Sequence, residues 1–452
     1  MTNNQKLTND ALFERARRVT AAEDYDIQSR YPSIIERGDG PWLYDVEGTR
    51  LLDLTAGDGS LLLGHRPQKV IEAVTKQMRD YGANFSSTLS IPRIELAERL
   101  VERYPVAEKV VFSKTGSEAT TLSVRLARAA TGRDLILSSG FHGWHEWHLP
   151  YGQMGFDPAT GVANFGYNEK ALARMLTEFS SDVAGVIMST ELYYFDPEYY
   201  QRLSAMCRKH DVPFIMDEVF SGFRCGSHGL HGSGKVPADM VVISKGLTNG
   251  HPLSVVMGRR DLIDAYDTAR AEGTYLREVP AMAAGLAVLD IIEDGSQHAN
   301  GERMGQLLMD GMRDILNAHE IPNMVGGPPM FFDVITTAKP LMTKIYRTAY
   351  DYGVHFDDCG TQLVLTSFDE SNVDFALSAF ERATKKVIAE SDIVPGELNE
   401  EFRLNTAEEE FGGYLRDDDR TRGLIEQTVQ AIANRDRSLG PWRHAMGERS
   451  GH

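Results

Sequence analysis

Residues 109–131 read "KVVFSKTGSEATTLSVRLARAAT", and the two ends of this stretch keep different periods. "KVVF" is a short β-branched run, whereas Leu122, Leu126 and Ala129 repeat at helical spacing on one face. The stretch therefore predicts a strand, a turn at Thr115, Gly116 and Ser117, and a helix. The same alternation continues outward. "DLILSS" (134–139), "GVIMST" (185–190), "PFIMDE" (213–218) and "MVVISK" (240–245) are further apolar runs separated by longer helical patterns. Such alternation implies an α/β fold whose mostly parallel sheet is covered on both faces. In these sheets ligands bind beyond the carboxyl ends of the strands.

Three strand-end features complement one another. After "KVVFSK", Thr115, Gly116 and Ser117 open a helix, where glycine permits close approach and unpaired N–H groups favour a phosphate. Asp217 ends "PFIMD" and offers an anion to a protonated ring nitrogen. Lys245 closes "MVVIS"; a lysine partly desolvated there has a lowered pKa and can attack a carbonyl. Each has an ordinary structural explanation alone, such as a helix cap for the hydroxyls. Together they meet the needs of pyridoxal phosphate: an anchor, a ring partner and an amine.

Two other motifs compete for chemistry. "FHGWHEWH" (141–148) gathers three histidines, but at spacings of three rather than the i, i+4 of a helical zinc site, so no metal is expected. "GLHGSGKV" (229–236) has P-loop glycines and lysine, yet Val236 stands where the magnesium-binding hydroxyl belongs.

Longer stretches make the resemblance specific. "LYDVEGTRLLDL", "LLLGHRPQKVIEAV", "SKTGSEATTLSVRLARAATGRD", "GFHGWHEW", "FIMDEVFSGFRCG", "ISKGLTNGHPLSVVMGRRDLID" and "GTYLREVPAMAAGLAVL" occur in order across residues 41–384. Over that span the chain resembles the class III aminotransferases of fold type I, most closely the glutamate-1-semialdehyde aminomutase branch. The resemblance implies a large domain with a seven-stranded-type sheet, a smaller α+β C-terminal domain, and pyridoxal 5'-phosphate as cofactor. It makes Lys245 the Schiff-base lysine and proton carrier and Asp217 the pyridine partner. Gly116 and Ser117, with Thr115 beside them, would bind phosphate. Val219 and Phe141 would face the two sides of the ring, and His142 would shape the loop. Thr274 would reach the phosphate of a neighbouring subunit, so a homodimer is implied.

The chain departs from the family pattern where substrate specificity is set. "GDGS" puts Asp58 where the aminomutases have an aromatic residue, and their carboxylate-binding arginine has no clear match, although Arg30 lies in that region in "IQSRYPSII". That segment resembles relatives acting on sugar-derived aldehydes. "VEP" becomes "MST" followed by Glu191, and Asn-Pro after the phosphate threonine becomes Glu278-Val279. An acidic side chain at Asp58 disfavours a carboxylate and favours hydroxyl or ammonium groups. Asp58, Arg30, Trp144 and Glu191 are the expected substrate-side residues. The expected reaction is amino transfer from an amino acid such as glutamate to a sugar or aminoglycoside aldehyde, as in antibiotic biosynthesis. An aminomutase or epimerase on the same cofactor, and an inactive cofactor-binding regulator, are the competing readings.

Composition sets the outer bounds. The chain has 452 residues, 25% charged and 42% hydrophobic, with a net charge of −18, which disfavours nucleic acid and anionic membranes. No apolar run approaches the roughly 20 residues of a membrane span. The three cysteines, Cys207, Cys225 and Cys359, are far apart, so no disulfide scaffold is expected and the cytoplasm is the default. The expected divisions are an N-terminal segment (1–55), a large cofactor-binding domain (56–290), a small domain (291–390) and an acidic, helical extension (391–452). In the extension, Leu424, Ile425, Val429 and Ile432 mark one helix.

Overall fold

A computed structural model describes residues 8–85, 87–148, 154–232, 235–336, 339–358, 360–391 and 415–436. Cys359 and most of the C-terminal extension lie outside the described residues. The chain forms two compact units, one of Met1–Ile71 with Asp294–Leu398 and one of Glu72–Glu293 with Asn399–His452. The N-terminal segment thus shares a unit with the expected small domain, and the extension shares one with the large domain.

The second unit is built on eight strands: β1 (Lys109–Ser113), β2 (Leu135–Ser139), β3 (Gly155–Asp157), β4 (Val162–Asn164), β5 (Val183–Ser189), β6 (Phe214–Glu218), β7 (Met240–Ile243) and β8 (Ser254–Gly258). Their order is β1-β8-β7-β6-β5-β2-β4-β3. β7, β6, β5, β2 and β4 pair in parallel. β8 runs antiparallel to both of its neighbours, and β3 adds an antiparallel edge. Every residue of β2, β5, β6, β7 and β8 is buried, which is why these runs read as continuously apolar rather than alternating.

Local chemistry fixes the covering helices. Asn168 caps Glu169–Phe179 by accepting from Ala171 N, and Asp196 caps Pro197–Lys209 by accepting from Tyr199 N. Gly132, left-handed at φ 68°, ends the Gly116–Thr131 helix. The helix in the extension runs from Asp419 to Ala433, packs on β3 and buries Ile425, Val429 and Ile432. Leu424, on the same helix, is only half-buried.

In the first unit, strands Ile35–Asp39, Trp42–Asp45 and Arg50–Asp53 form an antiparallel meander. Val354–His355 then adds in parallel to its third strand. A second antiparallel sheet joins Asn323–Gly326, Phe331–Thr336 and Thr361–Leu363. The third of these strands ends at Leu363, because Val364 N and Thr366 N turn to Met330 O and Leu62 O.

Candidate active site

β1 delivers the chain to Thr115, which closes a capping box. Its Oγ1 accepts from Glu118 N at 3.2 Å, while Glu118 Oε2 accepts from Thr115 N at 3.1 Å and Lys114 N at 2.8 Å. The next two N–H groups, on Gly116 and Ser117, have no intrahelical acceptor and lie at the positive end of the helix dipole. Two loops press on this cup so closely that only glycine fits. A Cβ on Gly116 would lie 2.8 Å from Val219 Cγ1, and one on Gly143 would lie 2.1 Å from Ser117 Oγ. Trp144 N also donates to Ser117 Oγ at 3.3 Å.

Asp217 lies in β6 beside Val242 of β7 and Ser189 of β5, and its side chain is buried. Oδ2 faces His142 Nδ1 at 2.8 Å, and Oδ1 accepts from Val219 N at 3.0 Å. His142 Nε2 faces the Ser139 carbonyl at 3.1 Å. Both of its neighbours are acceptors, so a ring nitrogen that carries a hydrogen has a partner on either side. The adjacent Glu218 is also buried, but its oxygens accept from Leu230 N and His231 N, at 2.8 and 3.0 Å. Burial, more than the charge of Asp217, pushes its carboxyl up to about 7. Glu218 thus occupies the short Gly229–Gly232 helix of the P-loop-like motif; residues 233 and 234 of that motif lie outside the described residues.

Lys245 follows β7 in a left-handed conformation (φ 43°) at the start of the short helix Lys245–Leu247. A non-glycine residue there is held by its surroundings rather than by its own preference. Lys245 Nζ lies 4.1 Å from the centre of the Phe220 ring, which directly follows Val219. The loop after β6 therefore touches both the cup, through Val219, and the lysine, through Phe220.

The three histidines of "FHGWHEWH" are engaged separately. His142 braces Asp217; His145 Nδ1 meets Thr121 Oγ1 at 2.7 Å; His148 Nε2 accepts from His142 N at 2.9 Å. Thr121 also accepts from Trp147 Nε1 at 2.7 Å and donates to Ser117 O at 2.7 Å. The segment is a strap across the helix start. Neither Thr121 nor Phe220 was legible in the sequence, except that Thr121 lies one turn beyond Ser117 and Phe220 one residue beyond Val219.

The remaining candidates are more scattered. Phe141 and Trp144 are 59% and 79% exposed, and Thr274 is exposed at the start of a turn whose main chain is held by Asn84 Nδ2. Glu278 pairs with Lys114 Nζ at 2.6 Å. Glu191 is buried; its carboxylate accepts from Ser189 Oγ at 2.8 Å, Tyr167 OH at 3.4 Å and Tyr193 OH at 2.6 Å. Asp58 and Arg30 belong to the first unit. Asp58 is exposed in a left-handed turn (φ 56°), and Arg30 lies 3.5 Å from Asp358.

An N–H cup without side-chain bulk, a buried aspartate and a strand-end lysine suit the phosphate, ring nitrogen and aldehyde of pyridoxal phosphate. On this sheet they define a pyridoxal-phosphate transferase of fold type I. Residues 25–368 match the family described as Aminotransferase class-III. The chain is 35% identical over 378 residues to 2'-deamino-2'-hydroxyneamine transaminase of Streptomyces kanamyceticus, covering 82% of this chain and 95% of the relative. It is 32% identical to glutamate-1-semialdehyde 2,1-aminomutase of Methanothrix thermoacetophila, over 72% of this chain and 81% of that one. A transaminase solved with pyridoxal phosphate bound shares the fold at a TM-score of 0.78 and 23% identity, covering 86% of this chain and all of that one. An omega-transaminase from Sphaerobacter thermophilus does so at 0.75 and 22%, over 85% and 99%. The protein belongs to the class III aminotransferases, which use pyridoxal 5'-phosphate. Among the described residues no helix is long and apolar enough to cross a membrane.

Proposed function

We propose that this aminotransferase moves an amino group from an amino acid, best glutamate, to an aldehyde on a sugar or aminoglycoside. One observation carries the acceptor: the 35% identity to 2'-deamino-2'-hydroxyneamine transaminase extends over 95% of that protein. Asp58 in place of an aromatic residue supports it, because a carboxylate recognises ammonium and hydroxyl groups better than carboxylates.

When bound, pyridoxal phosphate supplies the carbonyl that receives the amine and an electron sink that makes the adjacent substrate proton acidic. The protein residues do the rest. Gly116 and Ser117 N–H groups hold the phosphate in the cup shaped by Thr115, and Val219 and Phe141 bracket the ring. Asp217, steadied by His142, keeps a proton on the ring nitrogen. Lys245 Nζ takes the proton from the substrate carbon and returns it on the other side of the transfer. One site serves donor and acceptor in turn, so ping-pong kinetics follow.

Thr274 completes the cup of a second copy. Tyr81, Leu89, Ile91 and Tyr275, each more than half exposed in this unit, supply apolar surface for that copy to cover. Within the second unit, Trp144 takes the substrate side. Glu191 supports the loop after β5 instead, since three hydroxyls already hold its carboxylate, and Arg30 supports Asp358.

The test is a donor and acceptor panel read by cofactor absorbance. Glutamate should convert the cofactor to its amine form, and an aminoglycoside aldehyde should reverse the change; borohydride should label Lys245 beforehand. Aminomutase relatives at 32% identity favour one second reading. Faster turnover of glutamate-1-semialdehyde than of any amino-sugar aldehyde would establish that reading in place of ours.

A further inference from the structure

His148 is conspicuous in the strap because its partner is a main-chain group of the site itself. Its Nε2 lies 2.9 Å from His142 N, a donor, and 3.1 Å from Gly140 O, an acceptor. One ring nitrogen serves one of these at a time: unprotonated it accepts from His142 N–H, and protonated it donates to Gly140 O. Burial, then the neighbouring His142, push the His148 imidazole down to about 4, with the bond to the Gly140 carbonyl and then Asp217 pulling the other way. The unprotonated state, and hence the bond from His142, is therefore the one at neutral pH.

The ring also packs where the turn is shaped. It meets Phe141 edge-on at 5.5 Å, His142 at 5.6 Å and Trp147 at 5.9 Å, while His142 and Trp147 stack at 5.9 Å. Gly140, which starts the turn at φ +105°, has no room for a Cβ: one would lie 1.9 Å from Ser189 Oγ. Gly140 is fixed by sterics, the His142 ring by Asp217 and Ser139, and the His142 carbonyl by Thr120 Oγ1, which donates to it at 2.6 Å, so the bond from His142 N–H to His148 adds a further hold on the same residue.

We propose that His148 is a positioning residue of the cofactor site: its Nε2 lone pair holds the His142 main-chain N–H, and thereby sets both the Phe141 ring and the His142 side chain that braces Asp217. The inference rests on the reading above, in which Phe141 and Asp217 flank the cofactor ring. It assigns His148 no contact with substrate or cofactor.

The experiment compares wild type, His148→Gln and His148→Phe as full-length protein, with and without pyridoxal phosphate. The readouts are hydrogen exchange at the His142 amide and the dissociation constant of the cofactor. Phenylalanine keeps the packing and loses the acceptor. It should speed His142 exchange and weaken cofactor binding, each by about tenfold, the usual consequence of leaving a buried N–H without a partner. Glutamine, whose Oε1 accepts, should bring both back to within about threefold of wild type. Unprotected His142 exchange in the wild type at pH 7 would overturn the proposal without any variant. So would wild-type exchange and affinity in His148→Phe, or a His148→Gln protein no better than the phenylalanine form. Borohydride labelling of Lys245 is scored in parallel: its failure would remove the catalytic reading, while exchange at His142 would still decide the role of His148.

Discussion

Two aspartates close strands in this protein with a histidine beside them, and they are built for different tasks. Asp53, in the first unit, has Oδ2 2.9 Å from His65 Nε2, and its Oδ1 accepts from Thr55 N, Thr55 Oγ1 and Ala56 N at 2.8–3.0 Å. Asp217, in the second unit, has Oδ2 2.8 Å from His142 Nδ1, but among the described residues its Oδ1 accepts only from Val219 N, at 3.0 Å. Both are almost fully buried. An aspartate whose oxygens are saturated by its own turn stabilises that turn. One with acceptor capacity left, in the middle of a parallel sheet and near its carboxyl edge, can serve a bound cation. The histidine partner therefore does not mark function; the unused lone pair does.

The largest expected effect tests that distinction. Asp217→Asn keeps the shape and an oxygen towards His142 but removes the charge that holds a proton on the ring nitrogen. Its kcat/KM should fall by about 10²–10³-fold, the size typical of losing one preorganised electrostatic partner, with the circular dichroism spectrum retained. An equal loss in Asp53→Asn at full folding would break the comparison, because the two sites would then be functionally alike.

Next in size is the cup at Gly116. Gly116→Ala places a methyl 2.8 Å from Val219 Cγ1, and overpacking of this kind costs about 1–3 kcal/mol, read here as weaker cofactor binding. Val219→Ala in the same chain should recover at least half of that loss, since the two side chains then no longer compete for one space. A double variant no better than Gly116→Ala would mean that the cup is closed by something other than Val219.

Much of this was legible because strand and helix periods are local properties. Buried runs such as "FIMDE" and "MVVI" announce interior strands, and Asp217 and Lys245 stand out as polar residues that end them. What stayed hidden depends on contacts between distant segments. The N-terminal meander shares a unit with the later segment Asp294–Leu398 because Val354–His355 pairs with Arg50–Asp53 and Leu363 N donates to Leu54 O, pairings some 300 residues apart in sequence that no local pattern reports. The Lys114–Glu278 pair and the hub at Thr121 are likewise products of folding, and the sequence around each is unremarkable for its element. Glu191 shows the opposite case: its carboxylate suggested substrate binding, yet the burial and the hydroxyls that occupy it are set by tyrosines up to 24 residues away.

Smaller still is the stability effect at the other aspartate. Asp53→Asn should lower unfolding free energy by about 1–3 kcal/mol, because it replaces one oxygen that accepts a buried hydrogen bond with a donor. Turnover per folded molecule should be unchanged, and urea unfolding alongside activity distinguishes the two. Burial alone would raise the Asp53 pKa, but the bonds from His65 and Thr55 outweigh it and hold it below the usual 3.8. Its contribution is therefore present above about pH 3.8 and lost as pH falls through the lower folded value, so Asp53→Asn should also lose the acid limb in that range.

The smallest effect is a cancellation near the cofactor site. His148 falls from 6.5 to about 4 on folding, so the unfolded chain binds more protons across that window and stability rises with pH. Glu218 rises from 4.5 to about 7, so the folded chain binds more protons there and stability falls with pH. Where the windows overlap, from pH 4.5 to 6.5, the two slopes oppose, and their combined effect on the wild type should be under about 1 kcal/mol. Each variant uncovers the other group. In His148→Gln stability should decline as pH rises through this window, and in Glu218→Gln it should climb. Thermal unfolding at half-unit pH steps separates these outcomes. Parallel curves for both variants would mean that neither group titrates as its surroundings dictate, and that the contrast between the two aspartates cannot be extended to their neighbours.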